Sequence, residues 1–264
     1  MLAQQLIRDG DLAGALAALQ DAVRKNSADP KLRVFLFQLL SVLGQWNRAL
    51  TQLNVAGELD AGALPMVQTY REAIQCEALR AEIFAGRRAP VIFGEPQPWM
   101  AQLAEALKLD ATDPAAAGER RAAAFDAAPA SPGAIDGTRF DWLADADGRL
   151  GPVLEAIVNG RYVWVPFMRI ARIEIEPPAD LRDAVWTAAN FTWSNGAQTV
   201  GLIPTRYPGS VEASDDALKL ARKTEWTGDH PLGQRMFTSG EADYPLMDAR
   251  RIEFDQNDST GDHG

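Results

Sequence analysis

Apolar positions change their spacing along this chain. Up to about residue 110 they recur every three or four residues; beyond residue 137 they form short runs separated by turn dipeptides. In the first region Leu12, Ala15, Leu16, Leu19, Ala22 and Val23 follow i, i+3, i+4, i+7 spacing, which predicts an amphipathic helix. The same period continues through Met66, Tyr70, Ile74, Ala78, Ala81 and Phe84, and again at Trp99, Leu103 and Leu107.

The helical region repeats itself. "LAQQLIRDGDLAGALAALQDA" at 2–22 aligns with "LFQLLSVLGQWNRALTQLNVA" at 36–56, matching Leu2 with Leu36, Gly10 with Gly44, Leu12 with Trp46 and Ala15-Leu16 with Ala49-Leu50. The offset is about 34 residues throughout, the tetratricopeptide period. Gly10 and Gly44 stand where a helix end calls for a left-handed residue. Asp29-Pro30 supplies an N-cap and a first-turn proline. Two features depart from the pattern: Phe37 occupies a position that usually holds a small residue, and the third copy has Ala78 where glycine should recur. Two good repeats and a divergent third helix pair are expected. A plain helical-hairpin bundle is the alternative.

Residues 111–137 are rich in Ala, Pro and Gly, and "PASPGAIDG" is a cluster of helix and strand breakers. The boundary is placed at 128–137. The reading is therefore a tetratricopeptide-like helical domain over 1–128, an α+β domain with an antiparallel sheet over 138–254, and a disordered polar tail over 255–264.

Within the second domain, Asp147-Gly148, Asn159-Gly160 and Asn195-Gly196 predict tight turns between strands, because these residues tolerate positive φ. Imperfect alternation in "IARIEIE" predicts a bulge or a late strand start. Asp180 is read as the cap of a short helix holding Leu181, Ala184 and Val185. A second helix is expected in "ASDDALKLARKTEW", capped by Ser214 or Asp215, and one last strand in "YPLMDARRIEF".

Composition narrows the function classes. Of 264 residues, 47% are hydrophobic and 23% charged, which suits a packed core. The net charge of −10 argues against nucleic acid and anionic membranes as partners, since both select a basic face. No run of about 18 apolar residues appears, so no membrane-spanning helix is expected, and the first residues lack the pattern of a secretory signal. The single cysteine, Cys76, allows no internal disulfide and fits a reducing cytoplasm. With two histidines, His230 and His263, no zinc cluster or nucleophile motif is expected, and no cofactor loop is found.

Four features are candidates for chemistry or recognition. If the repeat geometry holds, Gln4, Ile7, Lys31, Val34 and Gln38 lie on the inward face of the first helices, which would grip a peptide or helix. In "LIPTRYPGS", Arg206 and Tyr207 sit in a loop stiffened by Pro204 and Pro208. That loop would meet a partner protein, brace the junction of the two domains or, with Arg235, hold an anion or a substrate. Glu155 sits in the apolar run "GPVLEAIVNG". It either points inward, requiring a partner such as an arginine, or alternates onto the wet face of the sheet. "DADG" at 145–148 resembles the start of a calcium loop, but Leu150 breaks that pattern and a turn accounts for it better.

Taken in order, "GPVLEAIVNGRYVWVPF", "LRDAVW", "LIPTRYPGS", "RKTEW", "GQRMF" and "DARRIEF" resemble the ImpE (TagJ or SciE-type) family, whose members are encoded with bacterial type VI secretion systems. The resemblance covers nearly the whole chain. It implies a cytoplasmic, non-catalytic accessory protein that grips a helical segment of the small subunit of the contractile sheath. It also implies an influence on how the unfoldase ATPase recycles contracted sheath. No catalytic residue is carried over.

Overall fold

The computed structural model describes residues 1–240 and 242–256. Seven helices come first: α1 (Leu2–Asp9), α2 (Leu12–Lys25), α3 (Pro30–Val42), α4 (Trp46–Leu59), α5 (Leu64–Phe84), α6 (Pro98–Leu109) and α7 (Pro114–Ala127). The repeat is visible in their placement, since α2 and α4 begin at Leu12 and Trp46, 34 residues apart. Gly10 and Gly44 both adopt left-handed φ, 85° and 67°. Asp29 caps α3 by accepting from the Lys31 and Leu32 amides, and Pro30 takes the first turn. The α3–α4 pair is the hairpin that the alignment implies, and the third repeat is replaced by the long, unbroken α5.

The second half contains β1 (Gly133–Ile135), β2 (Thr138–Phe140), β3 (Ala144–Asp145), β4 (Val153–Val158), β5 (Arg161–Pro166), β6 (Ile170–Ile175), β7 (Trp186–Trp193), β8 (Gln198–Pro204), the one-turn helix α8 (Asp216–Lys219), β9 (Thr224–Thr227), β10 (His230–Gly233), β11 (Met236–Ser239), β12 (Ala242–Pro245) and β13 (Arg251–Phe254). Among the described residues, eight strands form one antiparallel sheet in the order β2-β1-β13-β6-β7-β8-β4-β5. Asn159 and Gly160, both at positive φ, close the β4–β5 hairpin. The register slips between Ile170 and Arg172, the bulge that "IARIEIE" suggested. The outer edge of β5 is covered by residues 91–93, whose backbone pairs with Trp164 at 2.8 and 2.9 Å.

Three expectations change. The segment read as a linker contains β1, which turns into β2 through Asp136-Gly137 at φ 48° and 86°. Only glycine fits at position 133, where a Cβ would lie 2.0 Å from the Glu253 carbonyl oxygen. The helix expected in "ASDDALKLARKTEW" is confined to α8, capped by Asp215, and the chain passes into β9 at Thr224. "YPLMDARRIEF" is not one strand: the Asp248 and Ala249 amides donate to the Pro245 carbonyl, turning the chain between β12 and β13. Of the expected tail, Asp255 pairs with Arg139 at 2.6 Å, and 257–264 lie outside the described residues.

The β4–β5 hairpin is buried on both faces. Val153, Ile157, Tyr162 and Trp164 join an apolar cluster that runs without a break into the helices through Ile83, Tyr70, Phe37 and Leu12. Leu154, Ala156, Val158, Val163 and Val165 pack on the far side. Glu155 shares a strand face with Val153 and Ile157, so its carboxylate points into the junction between helices and sheet. Its side chain has 0% exposure.

Arginines from both halves meet it there. Arg80 of α5 donates through Nε and Nη2 at 2.6 and 2.9 Å, and Tyr162 Oη donates at 2.5 Å. Arg235 donates to Glu155 and, with its other nitrogen, to Asp145. A lone carboxylate in this position would be expelled or protonated. Burial pushes the Glu155 carboxyl up, but Arg80 and Arg235 outweigh it and hold the group at about 2. Around Asp145 burial wins over Arg235, and the carboxyl rises to about 6.

The second half also satisfies the ends of the first helices. Arg206 donates to the Val42 and Ser41 carbonyls at the end of α3, at 2.7 and 3.2 Å. Arg222 donates to the Ile7 and Arg8 carbonyls of α1, at 2.8 and 3.0 Å. Asp216 accepts from the Leu12 amide at the start of α2, at 3.1 Å. Cations thus sit at helix C-termini and an anion at an N-terminus, each opposite the dipole's partial charge.

Two outcomes follow from this junction. Glu155→Gln leaves buried arginine charge uncompensated and lowers unfolding free energy by about 3–5 kcal/mol at pH 7, read by urea denaturation. Because the native Glu155 group titrates below its unfolded value of 4.5, its contribution is present above pH 4.5 and is lost as pH falls toward 2. Asp145 has the opposite sign between pH 6 and 4, so the acid loss of the natural chain is concentrated below about 4.5. The Gln variant lacks the Glu155 part of that loss. Equal pH 7 stabilities, or parallel acid limbs, would contradict the assignment. Arg206→Met strips partners from buried helix-end carbonyls and destabilises by about 3 kcal/mol in the same assay.

Candidate functional site

Helices α1 and α3 are the leading helices of the two repeats, and both contribute residues to one groove. Between them and the segment Ala179–Leu181 lies an open groove of about 910 Å³. Gln4, Ile7, Lys31, Val34 and Gln38 all line it. Ile7 and Gln38 form a buried floor, Val34 and Phe35 are half-buried, and Gln4, Arg8 and Lys31 stand exposed on the rim. The spacing explains the grouping. Gln4 and Ile7 are three apart on α1, and Lys31, Val34 and Gln38 are three and four apart on α3, so each set occupies one helix face.

The opposite wall comes from the second half. Asp180 opens a short 3-10 helix, Leu181–Ala184, through a capping box in which the Asp180 amide donates to Asp183 at 2.8 Å and the Asp183 amide to Asp180, and the Ala179 amide adds a bond to Asp183 at 2.6 Å. Arg182 pairs with Asp180 at 2.8 Å and lies 4.8 Å from the Tyr70 ring centroid. Burial raises the Asp180 carboxyl, with Arg182 and Gln38 pulling the other way, and burial pushes the Tyr70 phenol up to about 12. The groove thus combines apolar side chains, Ile7, Val34, Phe35 and Leu181, with charges of both signs: Arg8 and Lys31, and Asp29, Asp60 and Asp180. Such a lining can receive an elongated amphipathic segment. Among the described residues no group of three or more His, Cys, Asp or Glu is placed to hold a metal ion, and no helix is long and apolar enough to cross a membrane.

The "LIPTRYPGS" loop is a different matter. Of the three alternatives for Arg206 and Tyr207, the structure favours the brace across the junction and turns both side chains away from a partner or an anion. They are 4% and 1% exposed. Arg206 is engaged with the α3 carbonyls and with the Lys219 carbonyl at 2.6 Å, and burial lowers its pKa to about 10. Tyr207 Oη donates to the Met236 carbonyl at 3.0 Å and accepts from the Met236 amide at 2.8 Å, and burial holds the phenol well above its ordinary value. Ser210 Oγ bridges the Tyr207 carbonyl and the Gly233 amide. Arg235 is wholly buried between Asp145 and Glu155. A cavity of about 330 Å³ beside the loop is lined by Arg80 and Arg206 as well as Glu77 and Glu212, and both arginines are already engaged, Arg80 by Glu155 and Arg206 by backbone carbonyls. The loop is a brace between the halves.

Asp147 of "DADG" is likewise committed, to Arg149 at 2.6 Å, in a turn closed by the Leu150 amide on the Asp147 carbonyl. The wall at 179–181 was the part that sequence reasoning missed. Asp180 carried a capping signal, but nothing in the sequence points it at α1 and α3.

Comparison with known proteins agrees with this architecture. The model of the ImpE protein family matches residues 137–253, and a tetratricopeptide-repeat model matches residues 6–74. The chain is 54% identical over 261 residues to the type VI secretion system accessory component TagJ of Pseudomonas aeruginosa, covering 98% of this chain and 93% of that protein. The crystal structure of protein VPA1032 from Vibrio parahaemolyticus superimposes with a TM-score of 0.87 at 24% identity, over 97% of this chain and 98% of the other, which establishes the shared fold. With the ImpE model over residues 137–253 and a relative 54% identical along nearly its whole length, the chain belongs to the ImpE family.

Proposed function

We propose that this protein is a non-catalytic accessory component of a bacterial type VI secretion system, acting in the cytoplasm as an adaptor. The relative at 54% identity carries that accessory description, and the two chains align over nearly their whole lengths. The finer reading is that the α1–α3 groove receives a helical segment of the small subunit of the contractile sheath. Holding that segment would influence how the unfoldase ATPase recycles contracted sheath.

The observation that carries the finer reading is the groove. Five residues picked out by repeat spacing line one open trough that also holds Phe35 and Leu181, a lining suited to the anchors of an amphipathic helix. The other polar clusters described above are internal: the arginines and carboxylates at the junction have partners, and the loop hydroxyls bind backbone.

Val34→Glu puts a charge on the half-buried wall of the groove. It lowers affinity for the purified small sheath subunit by about thirtyfold, on the order of 2 kcal/mol. The measurement is isothermal titration calorimetry with the full chain, with thermal unfolding as a control for folding. Unchanged affinity in a folded Val34→Glu variant would remove the groove from the account.

A further inference from the structure

We propose that the groove is a composite site whose second wall, Asp180–Leu181, is set in register by the "LIPTRYPGS" loop, with Thr205 as its positioning residue. This rests on the groove reading above and deepens it.

The geometry runs through three adjacent residues. Arg206 fastens the loop to the C-terminal carbonyls of α3, the helix that forms one wall of the groove. Thr205, its neighbour, holds the other wall. Its hydroxyl donates to the Asp183 carbonyl at 2.7 Å, its amide donates to the Val185 carbonyl at 2.9 Å, and Thr187 Oγ1 lies 2.9 Å from its Oγ1. Asp183 and Val185 bracket the end of the 3-10 helix that begins at the groove with Leu181. One buried dipeptide therefore ties the far end of α3 to the far end of the 3-10 helix, the two elements whose near ends form the walls of the groove. Pro204 restricts the residue before it and fixes its own φ, so little slack remains between β8 and the loop.

The wall is also stiff within itself, so that its placement rather than its shape is what the loop sets. The capping box closes its first turn, Arg182 is held by Asp180 and the Tyr70 ring, and Leu181 packs on the apolar cluster beneath. An occupant pressed onto Ile7 and Val34 of the helical half therefore meets Leu181 of the sheet half. The fitting occupant is an amphipathic helix with apolar residues on two adjacent strips, one for the α1–α3 floor and one for Leu181. A tetratricopeptide pair alone offers only the first strip.

The test uses the full chain and the purified small sheath subunit in titration calorimetry, with melting temperature recorded for every variant. Leu181→Glu is expected to weaken binding at least tenfold while the melting temperature stays within a few degrees. Thr205→Val is expected to weaken binding about tenfold, and Thr205→Ser, which keeps the hydroxyl, to restore it to within about twofold. A merely structural Thr205 would change the melting temperature and leave the affinity of the folded protein alone. If Leu181→Glu and Thr205→Val bind as the natural chain does while Val34→Glu does not, the composite site is wrong and the groove stands. If Val34→Glu also binds normally, the groove reading itself fails and this proposal with it.

Discussion

A carboxylate at the centre of the molecule organises the rest. Glu155 sits in the middle of a strand whose neighbours are all apolar, at a depth where an ionised group needs compensation. Arg80 arrives from the helical half and Arg235 from the sheet half, and both donate to it. Removing either arginine leaves the carboxylate short of a partner, so neither half can retract without exposing the other's buried charge. The surrounding apolar cluster runs through both halves, and the ion cluster ties a helix of one to strands of the other at fixed positions.

That tie matters because the groove is lined by residues of both halves. The groove has two helical residues sets on one side and a capped 3-10 turn on the other. Arg206, Arg222 and Asp216 reach from the sheet half to three separate helix ends, so the superhelix is held at several points along its length. Close approach is tight at one of them: a Cβ on Gly44 would lie 2.9 Å from the Val211 Cβ. The glycine that terminates a repeat helix also lets the sheet half dock.

The sequence made the helical half legible because its signals are local. Period, glycine helix ends and the Asp29-Pro30 start all act within a few residues, and Gln4, Ile7, Lys31, Val34 and Gln38 follow from helical spacing alone. The hairpin at Asn159-Gly160 was readable for the same reason. Asp136-Gly137 carried an equal signal that was absorbed into a Pro- and Gly-rich linker, and β1 went unseen with it. Arg206 and Tyr207 looked like site residues because proline, cation and phenol together resemble a reactive loop. Their true partners, the carbonyls of residues 41 and 42 and the backbone of Met236, lie far away in sequence, and no local pattern encodes them. Glu155 shows the same limit: its isolation in an apolar run hinted at an arginine, but not at two arginines from different halves.

Hydrogen exchange of the full chain, free and saturated with the small sheath subunit, addresses the central claim most directly. The account predicts new protection in three places at once: α1, α3 and the segment Ala179–Asp183. Protection confined to the β9–β10 ribbon, where Trp226 stands 56% exposed, or to any surface that omits α1 and α3, would contradict it.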